Sequence, residues 1–234
     1  MSIKDNIDDI LKRVGNACKK AGRNPGDITV VAVSKTVDYQ RAKEAVEAGI
    51  NNLGENRVQE LVKKYEDMKD TDAKWHMIGH LQKNKVKYII DKTVLIHSVE
   101  SLELAEEINK RANKNNLIAD ILIELNIGEE ESKFGITEER VYDFINSMDK
   151  FDNIRVLGLM TVAPFCENPE DARWVFKKMK NIYDKVSTMK LQNVQMKYLS
   201  MGMTNDFEIA IEEGSNIIRI GTAIFGARNY KEEE

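Results

Sequence analysis

The chain is poor in the residues that build several classes of site. Its 234 residues contain only two cysteines and three histidines. Two cysteines are too few for a disulfide framework or for a cysteine-built metal centre. The histidines are His76, His80 and His97, and Gly79 between the first two indicates a strand end rather than one helix face. The sequence therefore predicts no metal site.

Long apolar runs and an excess of positive charge are absent as well. No segment approaches 18 consecutive apolar residues, so no membrane span is predicted. Residues 1–22 show helical spacing rather than a signal peptide. The formal net charge of −4 disfavours general binding to a phosphate backbone. We therefore expect a cytoplasmic protein with no nucleic-acid partner and no membrane association.

The chain does contain a regular alternation of short apolar runs and amphipathic stretches. This alternation is typical of βαβ units and a parallel sheet. The predicted strands are Ile28–Ser34, Asn51–Leu53, Lys74–Ile78, Thr93–His97, Ala119–Asn126, Ile154–Leu159, Met196–Leu199 and Asn216–Ile220. Eight such strands in roughly 200 residues predict an α/β fold, a (β/α)8 TIM barrel, with an extra N-terminal helix. A doubly wound open sheet is the alternative.

Nothing in the composition divides the chain into parts. No linker rich in proline, glycine or serine interrupts the alternation. We therefore predict a single barrel domain over residues 1–230. The charged residues 231–234 are expected to form a frayed tail.

One lysine and two loops stand out because a (β/α)8 barrel builds its site at the C-terminal ends of its strands. Lys35 follows the first predicted strand, where it is either solvated or a nucleophilic amine suited to Schiff-base formation with a carbonyl. The segments "SMGMTND" (200–206) and "RIGTA" (219–223) follow the last two strands. Loops at these places recurrently bind phosphate, and each offers a glycine and hydroxyls for that purpose.

Arg219 helps to choose the ligand. A lysine beside a phosphate site suits a phosphorylated sugar or pyridoxal 5′-phosphate (PLP). PLP enzymes place an aspartate or arginine against the pyridine nitrogen, and Arg219 lies two residues before Gly221. A salt bridge at the barrel rim is the alternative role for this arginine. A cofactor-free, aldolase-like Schiff-base enzyme would leave Arg219 unexplained.

Six motifs, taken together, identify a family. They are "VAVSKT" (31–36), "GENRVQE" (54–60), "WHMIGHLQKNK" (75–85), "SKFGI" (132–136), "GLMT" (158–161) and "LSMGMTNDFEIAIEEGSNIIRIGTAIFGAR" (199–228). With these motifs, over nearly its whole length, the sequence resembles the pyridoxal-phosphate homeostasis proteins. That family is related to the N-terminal barrel of alanine racemase.

The resemblance implies a PLP site with one covalent anchor. Lys35 would form the Schiff base, Asn56 would lie beside the cofactor and Met160 would line the pocket. Arg219 would face the pyridine nitrogen. The residues implied for the phosphate are Ser200, Gly202, Gly221 and Thr222.

Three polar residues near this mouth are expected to have no direct role. His80 is predicted to be a partly exposed polar residue at a strand end. Lys83 and Lys85 are predicted to lie on a solvated helix face, and binding of an anion or a partner is the alternative.

The resemblance also implies a function. The protein would carry or buffer PLP and supply it to apo PLP-dependent enzymes as a monomer, without strong catalytic activity. An amino-acid racemase is the alternative, but racemisation needs a base on each face of the substrate. In alanine racemase the second base is a tyrosine from a second domain. The chain ends shortly after "AIFGAR", and no motif places any of its seven tyrosines at a strand end, so we expect no second base.

Overall fold

The computed structural model describes residues 2–128 and 134–226. Its strands are β1 (Thr29–Val33), β2 (Asn52–Glu55), β3 (Lys74–Met77), β4 (Thr93–Val99), β5 (Ala119–Leu125), β6 (Ile154–Thr161), β7 (Val194–Ser200) and β8 (Ile217–Ile220). They form a closed barrel in chain order, and every pairing is parallel, including that of β8 with β1. The predicted (β/α)8 barrel is confirmed.

Helices cover the outside of the barrel. They are α1 (Ile3–Lys20), α2 (Tyr39–Glu47), α3 (Val58–Asp67), α4 (Leu102–Lys114), α5 (Val141–Asn146), α6 (Arg173–Ser187), α7 (Phe207–Glu212) and α8 (Thr222–Phe225). Between β3 and β4 the expected helix is instead a 3₁₀ helix, Lys83–Tyr88. A 3₁₀ helix rises further per residue than an α-helix, which lets a short connection span the barrel edge. Further 3₁₀ turns are Pro25–Asp27, Glu138–Arg140, Ser147–Lys150 and Pro169–Ala172.

Helix α1 is the predicted extra N-terminal helix. Ser2 and Asp5 cap its start reciprocally, side chain to backbone N–H, at 3.1 and 3.0 Å. Its buried face follows helical spacing and packs the helix against α2, α7 and α8. Asn6 Nδ2 donates to the carbonyl of Ile224 at 2.8 Å. The helix thereby fixes α8, which begins directly after β8.

The barrel interior is only partly apolar. Six apolar side chains form a small inner cluster, namely Val31, Leu95, Leu122, Leu157, Met160 and Ile217. Buried polar side chains share the interior with them, among them His76 and His97. We expected β4 to end at His97, but the strand continues to Val99. His97 therefore lies inside the barrel and not at its mouth. His76 on β3 is buried inside the barrel as well.

Several sequence expectations concern other parts of the chain. Trp75 is buried, whereas Trp174 at the start of α6 is half exposed. Within the described part of the chain, no helix has both the length and the apolar character to cross a membrane. The tail at 231–234, the domain end at 230 and parts of the motifs at 132–136 and 199–228 lie outside the described residues.

Candidate functional site

Lys35 lies at the mouth of the barrel, two residues after β1. Because Ala32 of β1 pairs with Ile220 of β8, Lys35 and the loop after β8 reach the same edge. The next residue, Thr36, has a φ of +64°. A β-branched residue rarely adopts this left-handed conformation, and it persists only where the surroundings enforce it.

A polar cluster beneath the Lys35 turn, buried at Ser34, Glu55 and Lys64, supplies that support. Lys64 of α3 donates from Nζ to Glu55 Oε1 and to the Ser34 carbonyl, both at 2.6 Å. The Ser34 hydroxyl also donates to Glu55 Oε1, at 2.6 Å. The Thr36 N–H donates to Glu60 Oε2 at 2.8 Å. Burial raises the pKa of Glu55, while the Lys64 ammonium opposes that shift. We call these five residues the Glu55 cluster.

Arg219 is a buried arginine whose head group is held from two sides. Its Nη1 donates to Ser200 Oγ at 2.6 Å and its Nη2 to the Thr161 carbonyl at 2.8 Å. Burial lowers the pKa of Arg219 to about 10, against the opposing charges of Glu124 and Asp206. The guanidinium therefore stays protonated near neutral pH. Among the described residues no carboxylate forms an ion pair with Arg219, so a rim salt bridge does not explain it.

The loops after β7 and β8 bring two hydroxyls together. Thr204 Oγ1 and Thr222 Oγ1 lie 3.3 Å apart, and Gly221 precedes Thr222 at the half-buried start of α8. The Met203 N–H donates to Asp206 Oδ1 at 2.6 Å, which fixes the β7 loop. Hydroxyls beside a glycine backbone are suited to hold an anion.

Two residues predicted to bind phosphate have other surroundings. Ser200 is fully buried below the loop, and its hydroxyl contacts Arg219 and His97. Gly202 has a φ of +94°, and a Cβ there would lie 2.6 Å from the Cβ of Ala210, so close packing of α7 requires glycine. In the same loop the Thr204 hydroxyl lies beside Thr222, a residue also predicted to bind the phosphate.

Asn56 and Met160 border the mouth from opposite sides. Asn56 Oδ1 is buried and has no hydrogen-bond partner among the described residues. It lines an open cavity of about 500 Å³ together with Lys85. Met160 is fully buried and is paired in register with Ser200 across β6 and β7. An unpaired buried oxygen at a mouth indicates a missing polar partner.

The three residues predicted to lack a direct role lie at the rim. His80 Nδ1 is 2.9 Å from Glu100 Oε1, and its ring stacks on Phe134 with centroids 4.0 Å apart. Lys83 is exposed and Lys85 is half-buried. These placements fit the prediction of a solvated surface.

Sequence reasoning missed Glu124, which lies on β5. Burial and the nearby Glu100 raise its pKa to about 7, although the Arg219 charge opposes the shift. The signal was a lone acid inside the apolar run "ILIEL" (121–125). Among the described residues, no three histidine, cysteine or acidic side chains come together as a metal ion would require.

Comparison with known proteins places this barrel in a family. The profile described as alanine racemase, N-terminal domain, matches residues 6–229. The chain belongs to this family. The pyridoxal phosphate homeostasis protein of Aquifex aeolicus is 46% identical over 230 residues, which cover 98% of this chain and 100% of that protein. Its Escherichia coli counterpart is 33% identical over 235 residues, with 99% of each chain covered. The family predicted from the motifs is confirmed.

Solved structures show the same architecture. PipY of Synechococcus elongatus, solved with PLP bound, superposes with a TM-score of 0.81 at 27% identity, covering 93% of this chain and 100% of PipY. An alanine racemase of Clostridium difficile superposes with a TM-score of 0.71 at 17% identity, covering 97% of this chain and 58% of the racemase. The latter similarity concerns the fold alone.

Proposed function

We propose that this protein binds PLP at the carboxyl-terminal mouth of its barrel, as a Schiff base on Lys35. It carries or buffers the cofactor in PLP and amino-acid homeostasis, without strong catalytic activity. The observation that carries the proposal is that Lys35 follows β1, the strand that pairs directly with β8, which holds Arg219. The expected cofactor is borne out for the family, since PipY is solved with PLP bound and curated relatives are named PLP homeostasis proteins.

The side chains at the mouth fit the chemical groups of PLP. Thr204, Thr222 and the N–H groups beside Gly221 suit its phosphate, and the unpaired Asn56 oxygen requires a polar neighbour. When bound, PLP supplies an aldehyde that condenses with a primary amine. Lys35 offers that amine on a turn that the Glu55 cluster fixes.

Arg219 favours a carrier over a catalyst. A guanidinium has five N–H donors and no acceptor. A ring nitrogen that faces Arg219 accepts a hydrogen bond and therefore stays unprotonated. An unprotonated ring withdraws electrons poorly, so this contact disfavours extensive carbanion chemistry.

One observation favours the racemase alternative. Glu124 holds a carboxyl group whose pKa is raised to about 7, near Arg219 and the mouth. A group that exchanges a proton near neutral pH has the property that a general acid or base requires. Glu124 is therefore the residue to test in any assay for racemisation.

The covalent anchor is tested by chemical trapping. Purified protein is incubated with PLP, dialysed, reduced with borohydride and mapped by peptide mass. We expect a visible chromophore and a pyridoxyl group on the peptide that contains Lys35, absent in Lys35→Ala and present in the control Lys83→Ala. No retained chromophore, or label spread over surface lysines, would contradict the proposal and favour a phosphorylated carbonyl substrate.

Catalysis and delivery need separate assays. We expect negligible racemisation of alanine, and rates that depend on Glu124 would instead support the racemase. The proposal includes a cytoplasmic monomer that supplies apo PLP-dependent enzymes. Light scattering measures the mass, and reactivation of an apo-enzyme with a scavenger for free PLP present separates direct transfer from release.

A further inference from the structure

Five polar side chains form a continuous line of hydrogen bonds through the barrel, which we call the interior chain. It begins at Arg219, whose Nη1 lies 2.6 Å from Ser200 Oγ. Ser200 Oγ lies 3.0 Å from His97 Nδ1, and His97 Nε2 lies 3.0 Å from His76 Nδ1. His76 Nε2 ends the line at 3.1 Å from Asn52 Oδ1.

The donors in the interior chain point one way. Arg219 can only donate, so Ser200 Oγ accepts there and its own hydrogen is directed to His97 Nδ1. His97 then carries its proton on Nε2 and donates to His76 Nδ1. By the same rule His76 carries its proton on Nε2 and donates to Asn52 Oδ1.

The opposite direction leaves groups unmatched. If His97 carried its proton on Nδ1, Ser200 Oγ would accept hydrogen bonds from both Arg219 and His97. The hydrogen of the Ser200 hydroxyl would then have no acceptor within the interior chain. His76 Nε2 would then become an acceptor, and the Asn52 carboxamide would have to turn to present its Nδ2 donor. Buried polar groups without partners are costly, so the first arrangement is the stable one.

Burial supports neutral imidazoles in this chain. His97 is fully buried and His76 is nearly so. Burial lowers the pKa of His76 to about 4 and that of His97 well below its ordinary value, and the Arg219 charge adds to the second shift. A neutral imidazole has one donor and one acceptor, which is what each position of the chain needs.

We propose that His97 is a positioning residue for the cofactor site, acting as a neutral Nε2–H tautomer that orients the Ser200 hydroxyl and, through it, the guanidinium of Arg219. His76 and Asn52 fix that tautomer from below. Only the expected effect on the strength and geometry of PLP binding rests on the proposed function. The tautomers themselves are a property of the protein without PLP.

The first test is nitrogen NMR of the histidine side chains in protein without PLP. The chain has three histidines, so the spectrum is simple, and His80→Gln and His97→Gln assign the signals. We expect His76 and His97 to show neutral Nε2–H tautomers throughout pH 6 to 8. An Nδ1–H tautomer or a charged ring at position 97 would overturn the inference, whatever the protein does with PLP.

The second test compares substitutions at one position. In His97→Leu both polar atoms are lost, whereas the carboxamide in His97→Gln retains an acceptor and a donor. We expect about a tenfold rise in the PLP dissociation constant for the leucine variant and a shifted absorption maximum of bound PLP. The glutamine variant should recover much of both, and the surface control His80→Gln should match the unaltered protein.

The outcomes separate the two proposals. Failure of the unaltered protein to bind PLP refutes the proposed function and leaves the NMR test standing. Unchanged affinity and spectrum in a folded His97→Leu variant refute the positioning role. If that variant does not fold, Ser200→Ala interrupts the same chain with a smaller change of volume, and the same two readouts decide.

Discussion

The sharpest stability prediction concerns Lys64, the cation of the Glu55 cluster. Its side chain is 7% exposed and that of Glu55 is 0% exposed. Lys64→Met removes the donor to Glu55 Oε1 and to the Ser34 carbonyl. Glu55 Oε2 has no hydrogen-bond partner in the part of the chain that the structure describes, so the variant leaves a buried carboxylate with only the Ser34 hydroxyl there.

The cost follows from what Glu55 must then do. Leaving an unpaired buried charge typically costs about 3 to 5 kcal/mol. Glu55 can instead take up a proton, which limits the loss. An ordinary glutamate has a pKa of about 4.3, about 2.7 units below pH 7, and protonating it at pH 7 costs about 1.4 kcal/mol for each of those units. We therefore expect Lys64→Met to lower the free energy of unfolding by about 3 to 4 kcal/mol at pH 7.

The loss depends on pH in a defined direction. In the variant, the folded-state pKa of Glu55 is raised above its unfolded value, so the folded state holds more protons. Stability then falls as pH rises from the unfolded pKa through the folded one. The deficit relative to the unaltered protein should shrink to about 1 kcal/mol at pH 5.

Urea unfolding at pH 5, 6 and 7 measures these deficits. The control is the double variant Glu55→Gln with Lys64→Met, which has no charge to bury and should show little pH dependence. A deficit below about 1 kcal/mol at pH 7, equal at all three values, would refute the reasoning about this buried pair.

Three further predictions concern the mouth. Gly202→Ala should cost about 2 to 3 kcal/mol in urea unfolding, because its Cβ would overlap Ala210 at a positive φ. Thr204→Val should raise the PLP dissociation constant about three- to tenfold in equilibrium dialysis, with no loss of stability, and so should Thr222→Val. Because the folded-state pKa of Glu124 is raised to about 7, the unaltered protein should gain stability over Glu124→Gln as pH falls from 7 to 5; the reverse trend would contradict that shift.

The strands of this barrel were predictable because each is a short apolar run between turn signals. All eight predicted strands correspond to observed ones, and most boundaries shift by one or two residues. The largest shifts, of two residues each, are at the ends of β2, β4 and β6 and at the start of β7. In β4 and β7 a polar residue just outside the predicted strand, Ser98 or Gln195, interrupts the apolar pattern that marks a strand.

The polar interior was not predictable by the same means. A period-two pattern assigns polar residues to solvent, yet inside a closed barrel they can satisfy one another. His76 and His97 lie on the neighbouring strands β3 and β4, but Ser200 comes from β7, and only the closed topology brings all three into one line. The sequence therefore indicated Ser200 as a phosphate ligand but gave no sign that its hydroxyl contacts Arg219 and His97. The phosphate role of Ser200 stays a prediction.

The residue proposed to anchor PLP and the residue proposed to face its ring nitrogen are each held by a network within the protein. The Glu55 cluster holds the strained Thr36 turn beside Lys35, and the interior chain holds Arg219. Because these side chains are already ordered in the protein without PLP, little conformational entropy is lost when PLP binds. A carrier has a particular need for this arrangement, because it must bind and release the same molecule repeatedly without rebuilding its site. The Glu55 cluster and the interior chain are separate networks, so we expect their substitutions to weaken PLP binding additively.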